Sequence, residues 1–201
     1  MPSPIGHAIA GVAVAWAADL IPGNRTGRTA PPSASWYRRA GNGLTIACGV
    51  LAAAPDLDLL FPGYPHRSIT HSVTAVAAVA IVAALVAARK GRPVVRVASM
   101  CAAAWATHLL LDWTAVDRLF APYGVQLFWP FSDTWFISGW DLFPGTERHN
   151  IFGADAIATN AKSLATELIV LAPIALVLWL VRVKALAGFP SELARRNHST
   201  Q

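Results

Sequence analysis

Seven side chains that could bind a metal ion or carry a proton lie in or beside long apolar tracts of this chain. Ionisable groups are costly in hydrocarbon, so such residues within apolar tracts usually mark a functional site. Histidine and aspartate without cysteine suit Zn²⁺, Mn²⁺ or iron. The sequence therefore predicts a site for one or two divalent ions, with zinc as first choice. Its candidate ligands are His7, Asp56, Asp58, His66, His71, His108 and Asp112.

The spacing of two aspartate-containing motifs favours shared binding of an ion. His108 and Asp112 are four residues apart, which places both side chains on one face of a helix. Asp112 could instead only orient His108, as carboxylates beside metal-binding histidines do. Asp56 and Asp58 follow Pro55 at the end of an apolar tract. Irregular backbone there would let both carboxylates converge on one ion or bind one ion each.

A histidine-rich segment connects two apolar tracts. His66 and His71 are five residues apart and do not share a helix face, so the spacing predicts a turn between them. Thr70 or Ser68 could cap the helix that begins near His71.

Two further charged residues are candidates for a catalytic role. Arg67 could bind a phosphate or carboxylate oxygen of a substrate, or be a surface residue paired with Asp58 or a lipid headgroup. Glu167 lies near the start of the last apolar tract, where it could act as a ligand or general base. The helix dipole alone also favours an acidic residue at that position.

The elements that must position these residues are apolar helices. Hydrophobic residues make up 55% of the 201 residues and charged residues 13%, which is typical of a membrane protein. A soluble bundle would show polar faces, and the tract 72–88 shows none. We expect an all-α integral membrane bundle of about five transmembrane helices, forming a single domain over 1–190 with a flexible cytoplasmic tail, 191–201. The tracts are 5–21, 44–61, 72–88, 94–113 and 164–181.

The basic residues predict the orientation of this bundle. If five helices alternate, all but four of the 16 Lys and Arg residues fall on one side, which the positive-inside tendency assigns to the cytoplasm. The N-terminus then lies outside the cytoplasm, and the seven metal candidates lie at the outer face of the membrane. The net charge of +5 reflects this orientation, and we expect no nucleic-acid partner. The four exceptions are Arg67, Arg118, Arg148 and Lys162.

An aromatic-rich connection follows the fourth tract. Ten aromatic residues lie between 113 and 143, interleaved with proline and glycine. Tryptophan and tyrosine favour the headgroup level of a membrane. We therefore expect this connection to lie along the outer leaflet, in contact with membrane lipids, where it could anchor the protein or form a wall for a lipid-like substrate.

Four motifs in this order resemble a known family. They are the segments 2–7, 55–58, 66–72, and 108–112 followed by 129–131. The resemblance covers about residues 1–145 and is to the YdjM-like family of LexA-regulated, inner-membrane, metal-dependent hydrolases. It implies a membrane-embedded hydrolase with a metal site on the seven residues named above. A looser similarity to zinc-dependent phospholipase C, in ligand types only, favours phosphoester hydrolysis.

Two functions are consistent with these patterns. The first is metal-dependent hydrolysis of a phosphoester or lipid-like substrate at the outer membrane face. The second is a non-enzymatic metal-binding membrane protein, either a transporter or an interaction protein with a structural metal. A transporter would need ionisable residues that continue toward the cytoplasmic side. The cytoplasmic halves of the tracts have few such residues, and Asp19 is the main exception. No G-x-S-x-G segment is present, which argues against a serine hydrolase.

Overall fold

The computed structural model describes residues 1–21, 40–61, 63, 65–116, 122–147 and 151–187. Within these ranges the protein is all-helical, as predicted, apart from isolated β-bridges in the connection after the fourth helix. The predicted tail 191–201 and the basic segment 22–39 lie outside the described residues. The α-helices are α1 (Pro4–Leu20), α2 (Gly43–Ala53), α3 (Val73–Arg89), α4 (Val94–Thr114) and α5 (Ala154–Ala187).

Serine side chains define where two of the helices begin. Ser3 caps α1, accepting a hydrogen bond from the Gly6 amide at 3.2 Å. Ser72 caps α3 in the same way. The prediction that Thr70 or Ser68 would cap this helix was therefore wrong, because the chain first makes a short 3-10 helix at Ile69–His71.

The end of α2 changes its helical form. A 3-10 helix over Ala54–Leu60 continues directly from α2, with Pro55 in its first turn. Proline has no amide hydrogen and its ring crowds the preceding turn, so an α-helix does not continue regularly through it. Asp56 and Asp58 lie in this tighter helix rather than in irregular backbone.

Close contacts between small residues hold the centre of the bundle together. The helices α1, α2 and α4 contact one another, α3 packs against α4, and α5 packs against α1. A Cβ atom added at Gly11 of α1 would lie 2.6 Å from the Cβ of Ala52, so only glycine allows this approach. Ala15, Cys48 and Ala104 are fully buried nearby. Packing of this kind is common between helices in membranes.

The helices have the lengths and surfaces of membrane helices. Among the described residues, three are long and apolar enough to cross a membrane: Gly43–Leu60, Val94–Thr114 and Ala154–Ala185. The apolar helices α1 and α3 have 17 residues each, about 26 Å of helix against a core of about 30 Å. Outward-facing apolar side chains on α3, such as Ile81 and Val82, suit contact with lipid. Five crossings remain a prediction.

The last helix is longer than its apolar tract. It begins at Ala154, ten residues before the predicted start, and this first part carries Asn160 and Ser163. Asn160 accepts a hydrogen bond from the Glu147 amide at 2.7 Å, and Ser163 donates one to the Gly145 carbonyl at 2.9 Å. Hydropathy does not detect these turns because polar contacts, not apolar burial, hold them against the preceding connection.

Asp19 is paired at the end of the bundle where α1 finishes. Its carboxylate accepts hydrogen bonds from Arg96 of α4 and from Arg182 of α5, the latter at 2.6 Å. Asp19 and Arg182 are both buried. Asp19, the main ionisable residue predicted toward the cytoplasmic side, therefore links α1, α4 and α5 by charge.

Candidate metal centre

Four predicted ligands meet where α1 begins and where α2 and α4 end. Asp56 comes from the 3-10 helix after α2, and His71 ends the short 3-10 helix Ile69–His71 before α3. His108 and Asp112 come from the last two turns of α4. One ligand atom from each lies within 4.8 Å of the others, a spacing that could hold one ion. We call these four residues the central group.

The Nε2 atoms of His71 and His108 form the middle of the central group, 3.0 Å apart. Asp56 Oδ1 lies 3.6 Å from the first and 3.4 Å from the second. Asp112 Oδ2 lies 3.4 Å from the first and 3.6 Å from the second. Two imidazoles and two carboxylates therefore surround one point.

Hydrogen bonds on the far side of each ring leave both Nε2 atoms without a proton when the rings are neutral. His108 Nδ1 lies 2.7 Å from the Ala52 carbonyl, which can only accept, so this nitrogen carries the hydrogen. Thr70 donates its hydroxyl hydrogen to Asp58 Oδ2 at 2.8 Å and lies 2.9 Å from His71 Nδ1, which must then donate to it. Two nitrogen lone pairs face each other at 3.0 Å. They repel unless a proton or a metal ion lies between them.

In the metal-free protein the surrounding carboxylates favour a proton on His71. Burial disfavours the charged ring, but the negative charges of the nearby Asp112, Asp56 and Asp58 outweigh this effect and raise the pKa of His71 to about 10. Metal ions compete with protons for such a nitrogen. The position is therefore one where a cation of some kind is stabilised.

His7 closes the central group from α1. Its ring stacks on His108 with centroids 3.7 Å apart, and its Nε2 lies 3.4 Å from Asp112 Oδ1. Both ring nitrogens of His7, and both oxygens of Asp56 and Asp112, lack a hydrogen-bond partner among the described residues, although all are buried. Leaving such groups unsatisfied costs about 1 to 3 kcal/mol each. A divalent cation would satisfy several at once, so these residues fit a metal.

Asp58 and His66 form a second group with His71, on the side of its Nδ1 atom. His66 Nδ1 donates to Asp58 Oδ1 at 2.7 Å, and Thr70 donates to the other oxygen. His66 Nε2 lies 3.2 Å from the sulfur of Met1. Burial and the neighbouring His71 lower the pKa of His66, although Asp58 opposes this. Unlike the carboxylates of Asp56 and Asp112, that of Asp58 already has hydrogen-bond partners.

Arg67 lies against the central group in a backbone conformation that is uncommon for its residue type. Its φ is 66°, in the left-handed region, and its side chain is buried with Nε 3.6 Å from Asp112 Oδ2. Its carbonyl accepts a hydrogen bond from the Gln126 amide at 2.9 Å. The connection after α4 therefore helps to hold the guanidinium beside Asp112.

Glu167 of α5 lies apart from both groups and packs against the start of α1. Its side chain is fully buried and accepts hydrogen bonds from the Ser3 amide at 2.7 Å and from the Ser3 hydroxyl. A Cβ atom at Gly6 would overlap its carboxylate. These contacts fasten α5 to the turn of α1 that carries His7.

Sequence reasoning missed Thr70 and the Ala52 carbonyl as members of the site. Thr70 is next to His71 in the sequence, which is a signal, but a threonine before a helix equally predicts a helix cap. Nothing in a sequence without known contacts connects Ala52 with His108, because the two lie on different helices and meet only when α2 and α4 pack.

Comparison with known proteins identifies one family. The family model described as YdjM inner membrane protein matches residues 1–187, which includes every member of both groups. No curated protein and no solved structure matches the chain.

Proposed function

The chain belongs to the YdjM inner membrane protein family, and from that premise we propose that it is a membrane-bound, metal-dependent hydrolase. Its site would lie at the extracytoplasmic membrane face and act on a phosphoester or lipid-like substrate. The observation that carries the proposal is the central group, where two imidazole lone pairs and two carboxylates without hydrogen-bond partners converge in a buried position.

The central group and His7 would hold the ion. Mixed histidine and aspartate ligands without cysteine favour Zn²⁺, with Mn²⁺ and iron as alternatives. The hydrogen bonds already made by Asp58 and His66 favour one ion, with Asp58 orienting His71 through Thr70. A second ion on Asp58, His66 and His71 is the alternative that their mutual distances leave open.

A bound divalent ion would lower the pKa of water toward about 7 and polarise a phosphoryl or carbonyl oxygen. Hydrolysis adds one water, with its hydroxyl going to the phosphoryl or acyl group and a proton to the leaving oxygen. Arg67, beside Asp112, is the residue we propose to bind an anionic substrate oxygen. For Glu167, the contacts with Ser3 favour positioning of α1 over proton transfer.

A structural metal is the competing function, and the burial of the site favours it. The side chains of His71, His108 and Asp112 are fully buried, and that of Asp56 is 9% exposed. A structural ion has every coordination position filled by protein, whereas a catalytic ion keeps one open. For hydrolysis, water and substrate would therefore have to reach the ion from the side of Asp56.

The decisive variants are Asp112→Asn and His108→Ala. Each should lower metal affinity at least about tenfold, the usual range for loss of a ligand or of a residue that orients one. The measurement is metal content of the purified protein, together with hydrolysis of phosphodiester, phosphomonoester, lipid and amide substrates. Asp133→Asn, at an exposed position in the connection after α4, is the matched control.

Three outcomes separate the two functions. Metal binding with hydrolysis that both variants abolish supports the enzyme. Metal binding without hydrolysis of any substrate, with a fall in thermal stability when a chelator removes the metal, favours the structural ion. Unchanged metal content in both variants would contradict the metal centre itself.

A further inference from the structure

A cavity of about 360 Å³ lies beside the second group, between the 3-10 helix after α2 and the segment 65–70. Ligand cavities usually have volumes of about 300 to 1,000 Å³, so this one is large enough for part of a ligand. Its apolar lining includes Ala54, Leu57, Phe61 and Ile69, and its polar lining includes Asp58 and Thr70.

The apolar side chains at this cavity are exposed where a membrane helix ends. Leu57 is 55% exposed, Phe61 61% and Ile69 36%. Leu57 lies in Gly43–Leu60, one of the segments able to cross a membrane, and Phe61 follows it directly. With this segment crossing the membrane, the cavity would lie at the boundary between hydrocarbon and headgroups, and lipid tails would be its nearest neighbours.

The polar groups at the cavity are engaged with the protein itself. Thr70 donates to Asp58, and Ser68 donates to the Pro65 carbonyl at 2.6 Å. Asp58 in turn receives hydrogen bonds from His66 and Thr70. An occupant would consequently meet a mainly apolar surface, which suits a hydrocarbon chain better than a polar headgroup.

The cavity shares a wall with the metal centre. Asp58 belongs to the lining and its Oδ2 lies 3.4 Å from His71 Nδ1, while Nε2 of the same ring belongs to the central group. Arg67 follows in the same segment and places a positive charge beside Asp112. A molecule with its tail in the cavity would have its anionic part close to this charge.

We propose that the cavity holds the hydrocarbon tail of a membrane phospholipid whose phosphate-bearing end reaches the metal centre beside Arg67. This inference rests on the proposed function and makes its substrate class specific: a phospholipid that enters sideways from the leaflet next to the site. The size of the cavity, its apolar lining, its expected position in the membrane and the positive charge of Arg67 together favour this occupant.

The test uses purified, metal-loaded protein in lipid nanodiscs that contain a phospholipid with a photoreactive diazirine in its tail. After illumination, mass spectrometry locates the adducts. In the native protein we expect adducts on Leu57, Phe61 or Ile69. Ala54→Phe fills the cavity and should reduce these adducts at least about fivefold, because the tail would clash with the new ring. Ala77→Phe makes the same change at an exposed position of α3 and should leave them unchanged.

Metal content is measured on every variant, so a change at the metal centre is seen directly. If Ala54→Phe loses metal, Ile69→Phe replaces it, because Ile69 is partly exposed and its larger replacement narrows the same cavity. Equal labelling in cavity-filled and native proteins would overturn the proposal, since it would reflect ordinary contact with the bilayer.

Hydrolysis assays distinguish this inference from the proposed function. If Ala54→Phe loses phospholipid hydrolysis but keeps turnover of a small soluble phosphoester, the cavity binds the substrate tail. If both activities persist while the adducts are lost, the cavity binds a lipid that is not the substrate, and the inference fails while the hydrolase stands. Cavity-specific adducts in a protein that hydrolyses none of the substrates would support a lipid-binding site and contradict the proposed hydrolase.

Discussion

His71 connects the two groups of the site through its two ring nitrogens. Its Nε2 faces His108 and its Nδ1 faces Thr70. Because the Thr70 hydroxyl donates to Asp58, it can only accept from His71, and this fixes which nitrogen is available to a metal. The orientation of a central ligand thus depends on a residue that need not touch the ion.

The role of Thr70 predicts a measurable loss when its hydroxyl is removed. Thr70→Val keeps the side-chain shape but leaves His71 Nδ1 and Asp58 without this hydrogen-bond partner. We expect metal affinity to fall about 10- to 100-fold, as for other residues that orient metal ligands. Competition with a chromophoric chelator measures the affinity.

Two variants control this experiment. Thr70→Ser restores the hydroxyl and should recover most of the affinity. Thr166→Val removes a hydroxyl that bonds the Lys162 carbonyl on α5, and should have no effect on metal binding. Native affinity in Thr70→Val would show that the tautomer of His71 is fixed by other contacts.

The raised pKa of His71 predicts proton release when metal binds. With a pKa of about 10, the ring carries its extra proton at pH 8, and a metal that takes its lone pair must displace that proton. Isothermal titration of metal at pH 8, in buffers with different ionisation enthalpies, should give a release of about one proton from this site. His71→Gln should lose that release; the same number of protons in native and variant protein would assign the proton elsewhere.

At the scale of elements, the length of an apolar tract is visible in the sequence, whereas the polar contacts that extend a helix beyond that tract are not. The tracts predicted for α1, α3 and α4 agree with the observed helices to within one residue at each end. The predicted start of α5 was late because Asn160 and Ser163 hold its first turns through the connection that precedes it. The 3-10 form around Pro55 places Asp56 beside Nε2 of His71 and Asp58 beside its Nδ1, so the two carboxylates belong to different groups.

The close approach of α1 and α5 predicts sensitivity at Gly6. A methyl group there would overlap the Glu167 carboxylate, which holds Ser3 at the start of α1. We expect Gly6→Ala to lower the free energy of unfolding by about 1 to 3 kcal/mol, the usual cost of overpacking. Thermal unfolding in detergent provides the measurement.

Gly43→Ala is the matched control for this experiment. A Cβ atom at Gly43 meets nothing within 4 Å, and alanine favours a helix more than glycine does. This variant should be neutral or slightly stabilising. If Gly6→Ala were equally harmless, α5 would be free to move away from α1, and the anchor at Ser3 would not be a tight one.

At the scale of the whole molecule, charged and ionisable groups are divided between the two ends of the bundle. The metal candidates gather where α1 begins, and the pairs of Asp19 with Arg96 and Arg182 lie where α1 ends. The hydropathy of the sequence predicts helices and its basic residues predict an orientation, but the contacts that bring Ala52 to His108 arise only from packing. Function at one end therefore depends on helix positions that no single motif specifies.

The position of the site relative to the membrane can be tested by labelling with an impermeant maleimide. Hydrogen bonds from Gln126 to Arg67, and from Thr146 to Met1, place the connection after α4 at the same end as the metal centre. Thr134→Cys lies in that connection and Lys90→Cys at the other end of α3, and both positions are exposed. The native Cys48 and Cys101 are buried and should react little. Because the predicted topology puts most basic residues on the side of Lys90, we expect the first variant to react in intact spheroplasts and the second only after the membrane is opened. Labelling of Lys90→Cys alone in intact spheroplasts would place the site on the cytoplasmic side, and the substrate would then have to come from that leaflet.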